Sequence, residues 1–213
     1  MRIKAKVSYK NAAGNTIPST TTATGILDKP ALVRWANRMG LQGIDSNKYK
    51  DILADIGTLS HYFVTCRLQD EIPEVDEFTP EQVNSAQICY KKYVDWENRN
   101  PVTPILIEEP LVSEIYQYGG QPDLYGVSNG IFLLADFKTG GGIYPEMIYQ
   151  VAAYRQLLSE NGFPVGKVVI LRIGRDENEG VDEKIISEHE LDNGFEIFTH
   201  CLEIYRLTRR RGA

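Results

Sequence analysis

The segment Ile131-Phe-Leu-Leu-Ala-Asp-Phe-Lys138 carries an acid and a lysine two residues apart, Asp136 and Lys138, and a second acid, Asp123, precedes the turn signal Ser128-Asn129-Gly130. Read as a strand, the segment alternates: Phe132, Leu134, Asp136 and Lys138 share one face, and Ile131, Leu133, Ala135 and Phe137 the other. An Asn-Gly pair favours a two-residue hairpin loop, so Ser128 pairs with Ile131 and counting outward sets Asp123 opposite Asp136. Directly opposed Cβ atoms are about 5 Å apart. At an effective dielectric near 20, two unit charges at that distance repel by roughly 3 kcal/mol. A divalent cation between them turns the repulsion into a ligand pair. Hard carboxylate oxygens suit Mg²⁺ or Mn²⁺, and the nearby lysine could hold or deprotonate an attacking water or meet a phosphate oxygen. That chemistry is metal-assisted phosphodiester hydrolysis. Pro122 lacks an N–H and cannot fill a ladder position, so the strands are expected to splay beyond Asp123, where the metal would sit.

The elements that must position these groups follow from periodicity and punctuation. Asp28-Lys29-Pro30 opens a helix to about Met39, stopped by Gly40. A second helix is predicted from Ser46 to Arg67, carrying His61 and interrupted by Gly57. Thr79-Pro80-Glu81-Gln82 is a capping-box pattern, with Val83, Ala86, Tyr90 and Val94 following at helical spacing to about Asn98. Strands are predicted near 104–109, 112–118, 121–127 and 131–138, a helix from Pro145 to Glu160, a buried strand at 167–172 and an edge strand at 183–188. Leu191, Phe195, Phe198, Leu202 and Tyr205 stripe a final helix. The expectation is one α/β (α+β) domain over 1–213, with a mixed central sheet flanked by helices: a mainly helical lobe at 1–100 that carries His61, and a sheet core with a C-terminal helix at 101–213.

Four motifs occur in order: Gly57-Thr-Leu-Ser-His61, Gly119-Gly-Gln-Pro-Asp123-Leu-Tyr-Gly126, Asp136-Phe-Lys138-Thr139 and Gln150-Val-Ala-Ala-Tyr154. Over about Thr22 to Tyr154 the chain resembles the RecB-like branch of the PD-(D/E)XK nucleases, including its phage-type exonucleases. The resemblance implies a restriction-endonuclease-like fold, with His61, Asp123 and Asp136 as metal ligands for Mg²⁺ or Mn²⁺ and Lys138 assisting the attacking water. It places Gln150 and Tyr154 near the substrate or behind the site. It also implies an acid on the strand before Gly-x-x-Asp, for which Glu108, Glu109 and Glu114 compete and Glu109 is favoured. Activity would be that of a deoxyribonuclease, an exonuclease first, with a structure- or site-specific endonuclease or a non-catalytic DNA-binding relative as alternatives. DNA and recombination partner proteins of a phage or prophage type are the implied partners, with oligomeric state left open. Relatives with an iron-sulfur cluster use four cysteines; Cys66, Cys89 and Cys201 are three, and read as buried thiols.

A net charge of −6 over 213 residues disfavours a tight, extended nucleic-acid binder, and leaves local basic strips as the points of contact. Arg34 with Arg38, Lys91 with Lys92, and Arg206, Arg209, Arg210 and Arg211 are the candidates, each otherwise a solvated face. Apolar runs fall short of a membrane span, and Met1-Arg-Ile-Lys-Ala-Lys6 lacks the apolar centre of a signal peptide, so a cytoplasmic location is expected. His189 and His200 lie in no motif. Gly140, Gly141 and Gly142 could admit a phosphate backbone or merely turn the chain, and 174–180 reads as a solvated loop. Tyr116, Tyr118, Tyr125 and Tyr144 could stack on bases or pack in the sheet.

Overall fold

The computed structural model describes residues 7–210, so Met1 to Lys6 and Arg211 lie outside the described residues. In chain order the elements are β1 (Tyr9–Lys10), β2 (Thr16–Ile17), α1 (Thr20–Thr24), α2 (Pro30–Leu41), α3 (Ser46–Leu68) and α4 (Pro80–Arg99). Next come β3 (Thr103–Ile107), β4 (Leu111–Ser113), β5 (Tyr118–Gly120), β6 (Leu124–Ser128), β7 (Ile131–Lys138), α5 (Pro145–Glu160), β8 (Lys167–Ile173), β9 (Val181–Ile185) and α6 (Glu188–Arg210).

Turn chemistry sets the centre of the sheet. Asn129 and Gly130 adopt positive φ, 50° and 79°, as a tight hairpin turn between twisted strands requires. The register is the predicted one, with Ser128 opposite Ile131, but the ladder ends at Leu124 opposite Ala135. Asp123 and Asp136 are therefore not a ladder pair. The strands splay just before Asp123 rather than beyond it, and Pro122 never has to occupy a bonded position. β7 runs parallel to β8 across the crossover helix α5, while β3 and β9 pair antiparallel at the edges. The result is a five-stranded mixed sheet in the order β3-β6-β7-β8-β9.

The alternation along β7 divides the core as predicted. Leu134 joins Val168, Ile170, Val151, Leu157 and Phe198 beneath α5 and α6. Leu133, Ala135 and Phe137 join Val169, Leu171, Tyr93 and Trp96 beneath α3 and α4. Asp136 thus emerges on the α5 side, although its strand is buried on both faces. Tyr118 and Tyr125 are fully buried, donating to the carbonyls of Ala153 and Pro164, so they serve packing rather than base stacking.

Several elements depart from expectation. The predicted strand 112–118 is instead a separate two-stranded hairpin of β4 and β5, because Ser113 accepts from the Tyr116 N–H and Gln117 turns with φ of 57°. The edge strand ends at Ile185, since Ser187 and Glu190 cap α6 reciprocally: the Glu190 N–H donates to Ser187 Oγ and the Ser187 N–H to the Glu190 carboxylate. Gly57 does not interrupt α3. A Cβ there would lie 2.9 Å from Thr139 Oγ1, so glycine lets the helix press against the end of β7. Lys92 is no free basic strip either, because its ammonium donates to the carbonyls of Gly174, Asp176 and Glu179 and clamps the 174–180 loop.

Candidate active site

The splayed ends of β6 and β7 open into a cleft of about 1430 Å³, lined among others by His61, Glu108, Asp123, Asp136, Lys138, Gln150 and Tyr154. Each side chain arrives by a separate local device. His61 lies four residues beyond Gly57, hence on the helix face that Gly57 brings close to β7. Its Nδ1 is 3.2 Å from Asp123 Oδ1. The other Asp123 oxygen accepts from the Phe137 N–H at 2.7 Å, so the carboxylate reaches across the gap left where the ladder ends. Asp136 and Lys138 share a face of β7, and Lys138 Nζ sits 2.6 Å from Asp136 Oδ2.

The favoured strand acid, Glu109, is exposed and does not reach the site. Glu108 does: it can present a carboxylate oxygen with His61 and Asp123 so that the three ligand atoms lie within 4.8 Å of one another. The cause is local. β3 carries a register shift between Pro104 and Leu106, and a one-residue slip exchanges the two faces of a strand. Glu108 itself adopts φ of 47°, and this left-handed turn is held at both ends: its N–H donates to the Asp123 carbonyl, while its own carbonyl accepts from Gln121 Nε2 at 2.5 Å. Sequence reasoning misses Gln121, because no pattern marks a side chain that buttresses a backbone turn. Glu114 is exposed and binds Gln117 and the Ala12 N–H.

The carboxylates differ in their electrostatics. Asp136 is 1% exposed. Burial, reinforced by the charge on Asp123, outweighs the attraction of Lys138 and lifts its carboxyl to about 6. For Asp123 burial acts upward too, but His61, Lys138 and the Phe137 N–H together hold it down at about 2. The Lys138 ammonium is pulled down by burial and more than restored by Asp136 and Asp123, so it lies above its ordinary value and stays charged. Although ion-paired, Asp136 Oδ2 receives no hydrogen bond in proper alignment among the described residues, which leaves a buried carboxylate oxygen underserved. A donor set of two carboxylates, Glu108 and Asp123, with the His61 imidazole fits a hard divalent cation.

On α5, Gln150 Nε2 donates to Tyr154 Oη at 2.7 Å. Tyr154 is raised first by burial and then by the charge of Asp136, so it remains a neutral phenol. Its ring lies against Gly120, where a Cβ would come within 2.6 Å. His189 and His200 are exposed on α6 and do not line the cleft. Arg206 and Arg209 do, and Arg206 also donates to the carbonyls of Tyr116 and Gln117. His61→Ala is expected to weaken Mn²⁺ affinity at least about tenfold, while His189→Ala and His200→Ala leave it unchanged. Calorimetric titration of the three variants checks this, and equal affinities would make His61 a structural residue.

No family model matches the chain, and no curated protein matches it in sequence. Among solved structures, a candidate exonuclease from Eubacterium rectale aligns with a TM-score of 0.48 at 7% identity, covering 71% of this chain and 68% of that one. LHK-Exo, an alkaline exonuclease from Laribacter hongkongensis, aligns with a TM-score of 0.35 at 15% identity over 75% of this chain and 90% of its own. Its complex with dAMP gives 0.35 at 14% over 76% and 90%. No helix among the described residues is long and apolar enough to cross a membrane.

Proposed function

We propose that the chain is a divalent-cation-dependent deoxyribonuclease, acting first as an exonuclease in DNA recombination or processing of a phage or prophage type. The observation that carries this is the pairing of buried Asp136 with partly exposed Lys138, set in one cleft beside the mutually close His61, Glu108 and Asp123. Asp123, Glu108, His61 and Asp136 would hold the cation. When bound, such an ion supplies positive charge against that developing on the phosphate in the transition state. Lys138, kept protonated by its acidic neighbours, acts as a fixed donor: it orients the attacking water or a phosphate oxygen and offsets negative charge, rather than taking up a proton. Gln150 orients the Tyr154 hydroxyl, and this pair forms the polar wall against which the phosphodiester lies.

Digestion of end-labelled linear and closed-circular DNA, single- and double-stranded, with Mg²⁺ or Mn²⁺ tests the proposal. Release of nucleotides from ends alone is expected. Cleavage of closed circles would make the enzyme an endonuclease, and no cleavage of any form would leave a non-catalytic binder. Gln150→Ala is expected to lower the cleavage rate roughly tenfold or more without changing the Mn²⁺ titration, since the amide donates to the Tyr154 hydroxyl rather than to one of the carboxylates that would hold the ion. Unchanged cleavage would reduce the pair to helix packing.

A further inference from the structure

The helical hairpin of α2 and the first turns of α3 stands away from the two cores. None of the α2 residues is buried, and Val33 and Leu41 are 65% and 82% exposed. Trp35 and Tyr49 stack across the hairpin with ring centroids 6.2 Å apart, yet Tyr49 remains exposed. Exposed apolar and aromatic surface of this extent on a helix pair marks a surface that meets something else.

Charge indicates what that is. On a chain of net charge −6, α2 carries Arg34 and Arg38 and no acidic residue. The two guanidiniums lie four apart, on one helix face, and no ion pair ties either to a carboxylate among the described residues. Both legs of the hairpin are rooted at the cleft. Before α2, Thr21 and Thr22 line the cleft and Lys29 Nζ lies 4.0 Å from Glu146 at the start of α5. After the turn, α3 returns to deliver His61. At 1.5 Å per residue the hairpin tip lies about 20 Å along α3 from His61.

We infer that this hairpin is the binding arm for the single-stranded nucleic acid that enters the cleft, with Arg34 and Arg38 on its phosphates and the Trp35–Tyr49 surface against its bases. Arginine beside exposed aromatics is the chemistry that holds single strands without reading sequence, since every base has a stacking face and every nucleotide a phosphate. A strand stacked at about 3.4 Å per nucleotide covers the distance from the cleft to the tip with about six nucleotides, and an extended one with fewer. The inference rests on the phosphodiester-cleaving role of the cleft, and it names where the chain of the substrate lies beyond the reacting bond.

The test measures fluorescence anisotropy of an end-labelled oligothymidylate about twenty nucleotides long, in EDTA so that binding is read without cleavage. The parent is compared with the double variants Arg34→Ala/Arg38→Ala and Arg34→Lys/Arg38→Lys across a salt series. The alanine variant is expected to bind about tenfold more weakly, with a salt slope smaller by about 1.4, the value for two phosphate contacts on a single strand. The lysine variant, keeping both charges, should recover most of the loss, which excludes a folding defect as the cause. Equal affinity and slope for parent and alanine variant would overturn the inference. So would a dimer of the parent in sedimentation that the alanine variant dissolves while the probe binds as before, because the face then serves a second copy of the chain. Metal-dependent cleavage by the parent is scored separately: a parent that cleaves but shows no role for the arginines removes the arm alone, and one that never cleaves removes the nuclease role.

Discussion

Asp136→Asn is expected to abolish cleavage and, in EDTA at neutral pH, to make the protein more stable than the parent. The parent buries a carboxylate whose charge is disfavoured by desolvation and by Asp123, more than Lys138 compensates, so its pKa stands at about 6 when folded against about 3.9 unfolded. The folded state thus holds this proton more tightly. The stability it contributes is fully present below about pH 4 and is lost as pH rises through about 6. The Asn variant has no such proton to lose. Its advantage should be absent near pH 4 and reach about 1 to 3 kcal/mol above pH 6. Asp123 titrates in the opposite sense: its carboxyl is held at about 2 in the parent, so its contribution is present above about pH 4 and is lost only as pH falls through about 2, below the window in which Asp136 acts. Added Mn²⁺ should raise the parent's melting temperature far more than the variant's, because one ligand charge is gone. Thermal melts from pH 4 to 8, with and without Mn²⁺, check this. A variant less stable than the parent at pH 7 in EDTA would show that the Lys138–Asp136 attraction dominates the site.

Lys138→Ala is expected to lower the cleavage rate by at least about a hundredfold, the scale of losing a preorganised charged donor. Mn²⁺ affinity should hold or tighten, since Lys138 Nζ lies 2.6 Å from Asp136 Oδ2, an oxygen that a cation would also use. The split between rate and metal affinity separates a group that acts on the substrate from one that builds the metal site. Single-turnover cleavage at saturating Mn²⁺ reads the first, and calorimetry the second. A rate within about threefold of the parent would remove Lys138 from the chemistry.

How much of this was legible in the sequence depended on whether the information was local. Asn129-Gly130 fixed the β6–β7 register, and strict alternation placed Asp136 and Lys138 on one face, because turn type and pleat are set by neighbouring residues. His61, which the Gly-Thr-x-x-His motif singles out, lies beside Asp123, whereas Gly57 permits contact with Thr139 rather than breaking α3. Glu108 could not be chosen over Glu109 from sequence. The bulge between Pro104 and Leu106 and the left-handed turn at Glu108 reverse which residue faces the cleft, and both depend on pairing with β6 and on Gln121. The elements β1, β2 and α1, which help line the cleft, are too short for periodicity to reveal. Ser187-Glu-His-Glu190 was a readable capping signal that an expected strand concealed.

The rate of nucleotide release from end-labelled linear DNA, followed as Mn²⁺ is raised from zero in chelator-stripped protein, bears most directly on a cation-dependent hydrolytic site at His61, Glu108, Asp123 and Asp136. No release is expected without the ion, with saturation at the Mn²⁺ concentration where calorimetry shows the site filling. Release that persists undiminished in EDTA, or none at any Mn²⁺ or Mg²⁺ concentration, would contradict it.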